Sequence, residues 1–263
     1  MNKKSISAIM KQKGQKKLTM LTCYDYSMAK IFDTTPLDMI LIGDSLGNVF
    51  AGHESTLPVT VEDIIYHTRA VKRGAKNALI VSDMPFLSYQ ASIEDALRNA
   101  GRIMKEGLAD AVKLEGGAEI AETIYRLTSA GIPVMGHIGL QPQSVHQVGG
   151  YKIIGRTEGE IQRLLSNAKA LEDAGCFAFV MELVPEATAK RVSEAVSIPT
   201  IGIGAGAGCD GQVLVINDML GMSVENFKHN KKFLHLFEDI QGAVNSYISE
   251  VEAGTFPGPE NSF

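Results

Sequence analysis

Short apolar segments recur along the chain and alternate with stretches in which apolar residues have helical spacing. Eight of these segments have the length of strands buried on both faces, a pattern typical of a parallel sheet. They cover residues 17–22, 39–43, 78–83, 111–115, 132–136, 176–181, 199–204 and 212–216. A doubly wound sheet also contains βα repeats, but eight units in 263 residues favour an α/β fold of the closed (β/α)8 TIM barrel type.

Helix signals lie between most of these strands. Three predicted helices begin at a capping pair: Thr60 with Asp63, Ser92 with Asp95, and Thr157 with Glu160. Further helices are predicted over residues 27–33, 118–130, 187–196 and 227–251, followed by a loose tail over 254–263. The composition shows no linker-like break. We therefore expect one barrel domain over residues 1–263, with a short amphipathic N-terminal helix and a C-terminal helical extension.

The composition narrows the function classes. Hydrophobic residues make up 45% and charged residues 21%, as in ordinary globular proteins, and a net charge of −5 argues against a nucleic-acid surface. No apolar run approaches the roughly 20 residues that span a bilayer. Cys23, Cys176 and Cys209 are odd in number and far apart, which fits reduced thiols. We expect a cytoplasmic protein that acts on small molecules, without nucleic-acid or membrane partners.

Three successive predicted strands end in acidic residues, which are Asp44, Asp83 and Glu115. Because the carboxyl ends of parallel barrel strands share one face, these side chains are expected to lie close together. Three hard oxygen ligands suit Mg²⁺, so the sequence predicts a magnesium site there. The alternative is that all three are independent helix caps or turn residues.

A cation and a hydroxyl accompany these acids. Lys113 and Glu115 are two apart on one predicted strand and therefore point to one side. A lysine that faces a barrel interior needs anionic partners, and these could be Asp83 or Glu115, a bound anionic substrate, or both. Ser45 follows Asp44 directly and is either a turn residue or a hydrogen-bond donor to a substrate carboxylate.

Two further strand-end residues are candidates for proton transfer. Glu182 ends an apolar strand, where burial raises the pKa of a carboxylate and suits a general base. From the sequence alone, a salt-bridged structural glutamate at the strand-to-loop junction is the favoured interpretation. His137 is either a donor that faces a ligand or a packed core histidine. His146 lies in a Gly- and Gln-rich loop over residues 137–156 and is expected to face solvent or to support the site indirectly.

Gly206, Gly208 and Gly211 match the spacing of the dinucleotide-binding fingerprint. That fingerprint requires a strand before the glycines and a helix after them. Here a second strand follows, so the glycines are interpreted as a tight turn or as an anion-holding loop.

Several long motifs, in order from end to end, closely resemble those of the ketopantoate hydroxymethyltransferase family. They are MLTCYDYSMAK at 20–30, IGDSLGNV at 42–49, SDMPFLSY at 82–89, VKLEGG at 112–117, GHIGLQPQ at 136–143, ELVP at 182–185 and IGIGAGAGCDGQVLV at 201–215. The resemblance implies a barrel of the phosphoenolpyruvate/pyruvate type, dependence on Mg²⁺ and a homo-oligomer, commonly a decamer.

The resemblance also implies the roles of individual residues. Asp44, Ser45, Asp83 and Lys113 would bind a 2-oxo acid; Asp44, Asp83 and Glu115 would surround the metal; Glu182 would accept the proton. The implied reaction moves a hydroxymethyl group from 5,10-methylenetetrahydrofolate to 3-methyl-2-oxobutanoate through a magnesium-stabilised enolate, in pantothenate synthesis. Only the resemblance identifies the folate.

Two rival functions remain open at this stage. One is a magnesium-dependent lyase or aldolase acting on a 2-oxo acid on the same barrel. Such lyases often carry a Lys-Lys-Cys-Gly-His type loop, which this sequence lacks. The other is a non-catalytic barrel that binds an organic acid as a sensor or assembly subunit, which the retained carboxylates, Lys113 and Glu182 disfavour.

Overall fold

Eight parallel strands form a closed barrel in the computed structural model, which describes residues 3–145, 149–150, 152–223 and 227–263. Each strand pairs with its sequence neighbour, and the first strand pairs with the last. The strands are β1 Leu18–Thr22, β2 Met39–Ile42, β3 Leu79–Asp83, β4 Ala111–Lys113, β5 Val134–Gly139, β6 Ala178–Glu182, β7 Thr200–Ile203 and β8 Gly211–Leu214. The predicted barrel and the order of its strands are confirmed.

Helices connect most of the strands. In chain order they are α1 Ile6–Met10, α2 Tyr26–Asp33, α3 Leu46–Val49, α4 Val61–Gly74, α5 Ile93–Gly107, α6 Ala121–Ser129, α7 Glu158–Asp173, α8 Glu186–Glu194, α9 Ile216–Met219 and α10 Leu236–Glu252. Single 3₁₀ turns occupy Ala118–Ile120, Pro142–Ser144 and Pro259–Asn261. The described helices include none that is long and apolar enough to cross a membrane.

Local side-chain chemistry explains where three helices begin. Thr60 accepts a hydrogen bond from the backbone of Asp63, whose carboxylate in turn accepts from the backbone of Thr60. The same reciprocal pair opens α7 between Thr157 and Glu160, and Ser92 caps α5. These caps satisfy backbone N–H groups that a helix start leaves without partners, so the predicted starts are confirmed.

The barrel interior is filled by alternate residues of the strands. The buried interior cluster contains, among others, Leu79 and Val81 of β3 and Ala178 and Val180 of β6. Ile9 of α1 belongs to the same cluster, as expected for the amphipathic N-terminal helix. Because side chains alternate with a period of two, the next inward positions on these strands are Asp83 and Glu182. The barrel interior is therefore apolar along most of these strands and becomes charged at their carboxyl ends.

Strand bounds differ from expectation at two site residues. Glu115 is not part of β4, because its backbone N–H donates to the Tyr89 hydroxyl and the regular ladder ends at Lys113. His137 lies inside β5 rather than after it, because β5 continues beside β6 as far as the pairing of Gly139 with Glu182.

The C-terminal prediction was wrong for residues 227–235, which are not helical. The backbone N–H groups of Phe233 and Leu236 donate to the carbonyls of Met219 and Leu220, instead of continuing a helical ladder toward the N-terminus. Residues 1–215 and 216–263 form two compact units. The prediction of a single domain with a helical extension stays a prediction.

Candidate active site

The charged layer at the carboxyl ends of the strands contains six of the predicted site residues, on or just beyond the five neighbouring strands β2 to β6. Asp83, Lys113, His137 and Glu182 lie on β3, β4, β5 and β6, and Asp44 follows β2. Asp44, Asp83, Lys113 and His137 are each no more than 5% exposed, and Glu115 is buried equally. Charged groups this far from solvent need partners, so their mutual contacts determine the chemistry of the site.

Lys113 pairs with the carboxylates beside it. Its Nζ lies 2.8 Å from Asp83 Oδ1 and 3.7 Å from Glu115 Oε1. Burial alone would lower the pKa of the ammonium, but the charges of Asp83 and Glu115 outweigh burial and raise it. Lys113 is therefore a permanent cation in the middle of the acidic residues.

Asp44 and Asp83 are joined through the backbone. The N–H of Asp44 donates to Asp83 Oδ2 at 2.9 Å, which leaves Asp83 Oδ1 for Lys113. Burial, reinforced by the charge of Asp83, raises the pKa of Asp44 to about 6. Burial also raises the pKa of Glu115 well above its ordinary value. Negative charge is thus costly at both carboxylates.

His137 lies between two carboxylates. Its Nδ1 is 3.4 Å from Glu115 Oε1, and its Nε2 is 3.5 Å from Glu182 Oε2. Burial and the charge of Lys113 hold the pKa of His137 well below its ordinary value, so the ring is neutral. Neither ring nitrogen has a hydrogen bond of good geometry, which leaves a buried donor and a buried acceptor available.

Glu182 is the least enclosed carboxylate of the site, with 17% of its side chain exposed. Burial raises its pKa to about 8; Lys113 lowers the pKa, and Asp44 and Asp83 raise it further. A carboxylate with a raised pKa is a stronger proton acceptor once it is ionised.

Ser45 lies beside the carboxylates and starts α3 without a capping hydrogen bond from its side chain. Its hydroxyl is 2.9 Å from the hydroxyl of Tyr24, a residue of the loop after β1. The Ser45 hydroxyl is therefore held in place beside Asp44 rather than used as a helix cap.

Sequence reasoning missed two residues that hold the site together, Gln143 and Tyr89. The Gln143 amide donates to Asp44 Oδ2 at 3.0 Å, and its backbone N–H donates to Glu115 Oε2 at 3.0 Å. The Tyr89 hydroxyl contacts both the Glu115 backbone and the Gln143 side chain. The Gln-rich loop was a signal for Gln143, whereas Tyr89 entered only as the last residue of the SDMPFLSY motif, with no role implied.

The charge of the carboxylates bears on whether the site can bind a metal ion. As the side chains stand, no group of three or more His, Cys, Asp or Glu in the described ranges could hold a metal ion. Even so, four carboxylates at Asp44, Asp83, Glu115 and Glu182 face one ammonium, and burial raises the pKa of three of them. Carboxylate oxygens with this excess of negative charge fit a divalent cation such as Mg²⁺.

The remaining candidates lie elsewhere. Gly206 and Gly208 are between β7 and β8, and Gly211 is the first residue of β8. Because a strand and not a helix follows, the glycines do not form a dinucleotide-binding turn. His146 lies outside the described residues. Cys23, Cys176 and Cys209 are all buried free thiols, as expected.

A closed parallel barrel with charged side chains at the carboxyl ends of its strands is the architecture of (β/α)8 barrel enzymes. Phosphonopyruvate hydrolase, solved in complex with oxalate and Mg++, has a similar structure with a TM-score of 0.64 and 12% identity, covering 98% of this chain and 93% of that one. Oxaloacetate acetylhydrolase, with the inhibitor 3,3-difluorooxalacetate, has a TM-score of 0.62 and 9% identity, covering 99% and 91%. At these identities the likeness concerns the fold.

Sequence comparison narrows this class to one family. The family model of ketopantoate hydroxymethyltransferase matches residues 3–259. The 3-methyl-2-oxobutanoate hydroxymethyltransferase of Syntrophus aciditrophicus (strain SB) is 57% identical over 256 residues, covering 97% of this chain and 93% of its own length. The enzyme of that name from Enterococcus faecalis (strain ATCC 700802 / V583) is 57% identical over 248 residues, covering 94% and 90%. The chain belongs to the ketopantoate hydroxymethyltransferase family, which confirms the resemblance drawn from its motifs.

Proposed function

We propose that the chain transfers a hydroxymethyl group from 5,10-methylenetetrahydrofolate to C3 of 3-methyl-2-oxobutanoate, giving 2-dehydropantoate and tetrahydrofolate for pantothenate and coenzyme A synthesis. The equation balances with one water, which supplies the hydroxyl oxygen. The observation that carries the proposal is that relatives with this name match nearly the whole chain at 57% identity. The buried carboxylate and lysine cluster is a site of the kind this reaction requires.

Asp44, Asp83 and Glu115 are the residues that would hold Mg²⁺. Support comes from their burial, from their position on three consecutive strands and loops, and from the excess of negative charge around Lys113. When bound, Mg²⁺ supplies positive charge that withdraws electrons from the carboxylate and 2-oxo group of the substrate. Phosphonopyruvate hydrolase, whose complex contains oxalate together with Mg++, supports such a pairing on this fold.

Lys113, Ser45, Asp44 and Asp83 would bind the 2-oxo acid. The Lys113 ammonium offsets the negative charge that the substrate brings into the buried site. The Ser45 hydroxyl, which is 2.9 Å from the Tyr24 hydroxyl, would donate to a substrate oxygen. Asp83 keeps Lys113 directed toward the same space through their 2.8 Å contact.

Glu182 would remove the proton from C3 of the substrate. Its raised pKa strengthens it as a base, and positive charge brought into the site on binding would lower that pKa enough to keep the group ionised. The neutral His137, 3.5 Å from Glu182 Oε2, would orient the carboxylate with a ring N–H. The electron pair left on C3 forms the new bond to the one-carbon unit. Both bonds from that carbon to the folate nitrogens break, water supplies the hydroxyl oxygen, and the C3 proton and one proton of the water end on the nitrogens of tetrahydrofolate.

The reaction itself tests the proposal. Purified protein is incubated with 3-methyl-2-oxobutanoate, methylenetetrahydrofolate and Mg²⁺, and the product is identified by mass. We expect 2-dehydropantoate, and none when Mg²⁺ is chelated. A parallel incubation with oxaloacetate-like acids and no folate tests the alternative, a magnesium-dependent 2-oxo acid lyase or aldolase. Cleavage products there, with no 2-dehydropantoate in the first reaction, would replace the proposal with the alternative.

The assembly and location are part of the same proposal. Apolar residues recur along one side of α10 at Phe237, Ile240, Val244, Tyr247 and Val251, and each is at least 44% exposed. An exposed stripe at this spacing favours association with other copies, in line with the decamer that the resemblance implies. Light scattering measures the mass. The buried free thiols are compatible with a cytoplasmic location.

A further inference from the structure

Gln143 occupies an unusual position for a loop residue. It lies in the 3₁₀ turn after β5 and is only 4% exposed. Its amide nitrogen donates to Asp44 Oδ2 and to the Met84 carbonyl, both at 3.0 Å. Its amide oxygen accepts from the Tyr89 hydroxyl at 3.0 Å and from the Gln90 amide at 3.2 Å.

These partners determine the orientation of the amide. Two acceptors face the nitrogen. The Gln90 amide and the Tyr89 hydroxyl, whose single hydrogen is shared with the Glu115 carbonyl, face the oxygen. A flipped amide would place its oxygen against a carboxylate and a carbonyl. Four hydrogen-bond partners therefore hold the side chain. It presents one N–H to Asp44 at a fixed position.

The backbone of Gln143 acts on a second carboxylate. Its N–H donates to Glu115 Oε2 at 3.0 Å, while Glu115 Oε1 faces Lys113 and His137. A single residue thus holds one oxygen each of Asp44 and Glu115, which come from different strand ends. In both cases the hydrogen bond restrains the carboxylate and leaves its second oxygen for another partner.

We propose that Gln143 is a positioning residue that orients Asp44 and Glu115 for a divalent cation. The inference rests on the proposed function, because it takes these carboxylates to be metal ligands. Asp44 and Glu115 repel each other across the buried site, and Asp44 is free to turn about its side-chain bonds once the Gln143 amide is lost. Binding of the cation must then also order Asp44, so the cation binds more weakly.

The effect should appear in the affinity for the ion rather than in the maximal rate. A Gln143→Met variant keeps the approximate volume of the side chain and removes its side-chain hydrogen bonds, including the one to Asp44, while the backbone N–H that donates to Glu115 remains. Calorimetric titration of Mg²⁺ in the presence of 3-methyl-2-oxobutanoate should show binding weakened by about tenfold or more, the expected effect of losing a hydrogen bond to a charged group. At saturating Mg²⁺, kcat should return to within about threefold of the wild-type value.

Gln141→Met is the matched control. Gln141 is in the same loop, but it lies on the wall of a separate cavity with Glu160 and Arg163. The Mg²⁺ affinity of the Gln141→Met protein should equal that of the wild type. If Gln143→Met fails to fold, Tyr89→Phe decides instead. It removes the hydroxyl that contacts both the Gln143 amide oxygen and the Glu115 backbone, so it loosens the same two carboxylates and should weaken Mg²⁺ binding in the same direction.

The outcomes separate this inference from the function it rests on. Wild-type affinity for Mg²⁺ in the folded Gln143→Met protein, or in Tyr89→Phe where that variant decides, overturns the positioning role and leaves the proposed function standing. An equal loss in Gln141→Met means that any change in the loop has this effect, and it also overturns the role. If the wild type itself binds no Mg²⁺ with the oxo acid, the proposed function falls first and the inference with it.

Discussion

At the scale of single residues, burial has opposite consequences for Lys113 and Glu182. The ammonium of Lys113 keeps its charge because three acidic residues face it, whereas the pKa of Glu182 rises to about 8 because burial outweighs the single ammonium. One residue is thus a fixed cation, and the other can exchange a proton near neutral pH. This difference suits Lys113 for binding an anion and Glu182 for accepting a proton.

Glu182→Gln should stop exchange of the substrate's C3 proton while leaving the Mg²⁺–substrate complex intact. An amide of the same size cannot accept the proton, so the loss should be at least about a hundredfold. NMR of 3-methyl-2-oxobutanoate in D₂O with Mg²⁺ measures the exchange, with and without tetrahydrofolate. Wild-type exchange is first compared with and without folate, because a bound folate can order the site.

Two results would contradict this assignment. Exchange at the wild-type rate in Glu182→Gln would mean that another group is the base, with His137 next in position at 3.5 Å. Loss of exchange together with loss of substrate binding would make Glu182 a structural residue.

Lys113→Met should weaken substrate binding more than Mg²⁺ binding. The ammonium is assigned to the charge of the substrate, whereas removing it leaves Asp83 and Glu115 available to a cation. Calorimetry with each ligand separately gives the comparison. If the variant instead unfolds, the buried ion pair with Asp83 is needed for the fold, since the loss of one partner of such a pair can cost about 3–5 kcal/mol.

At the scale of elements, the pairing of β5 with β6 sets the position of Glu182. Gly139 at the end of β5 has a φ of 94° and pairs with Glu182, and a Cβ there would overlap the Glu182 carbonyl oxygen. The last residue of β5 therefore has to be glycine for two reasons, its backbone conformation and the close approach of β6.

Gly139→Ala should destabilise the fold and reduce C3 proton exchange, because β6 must shift to admit the methyl group. Gly131→Ala is the matched control: its φ is 85°, and a Cβ there meets nothing within 4 Å. The control should lose about 1–2 kcal/mol from backbone strain alone. Gly139→Ala should lose about 1–3 kcal/mol more. Denaturant unfolding measures both, and equal losses would show that β6 accommodates the methyl group without cost.

At the scale of the whole molecule, the buried carboxylates of the site make the stability of the fold depend on pH. The folded-state pKa of Glu182 is about 8, against an ordinary value of 4.5. Between those values the folded protein holds a proton that the unfolded chain releases. By linkage, stability falls as the pH rises through this window. His137 has the opposite sign, since its lowered pKa favours the folded state more as the pH rises toward its ordinary value of 6.5.

Above pH 6.5 the carboxylates with raised pKa values, such as Glu182, should therefore dominate the pH dependence of stability. Without Mg²⁺, the free energy of unfolding should fall between about pH 6.5 and 8 by up to ~1.4 kcal/mol per pH unit for each such carboxylate. Adding Mg²⁺ with the oxo acid should raise stability most at the alkaline end. Urea unfolding at several pH values measures the slope, and Glu182→Gln should make it shallower. A slope in Glu182→Gln equal to that of the wild type would show that Glu182 does not contribute.

The sequence by itself determined the number and order of the strands, the helix starts at Thr60, Ser92 and Thr157, and the acidic strand ends. These features depend on local periodicity and on contacts a few residues apart, which a pattern contains. The sequence also determined family membership through its motifs. The roles of Asp44, Ser45, Asp83, Lys113, Glu115 and Glu182 stay predictions until the experiments above are done.

Only the tertiary structure decided how the acids are held. Gln143 and Asp44 are 99 positions apart, and Tyr89 and Glu115 are 26 apart, so no local pattern could have paired them. The same Tyr89 hydroxyl ends β4 before Glu115, and β6 extends β5 past His137. Hydrogen-bond partners in a buried site are chosen by the geometry of the closed barrel, because every buried polar group must find one wherever the chain brings it.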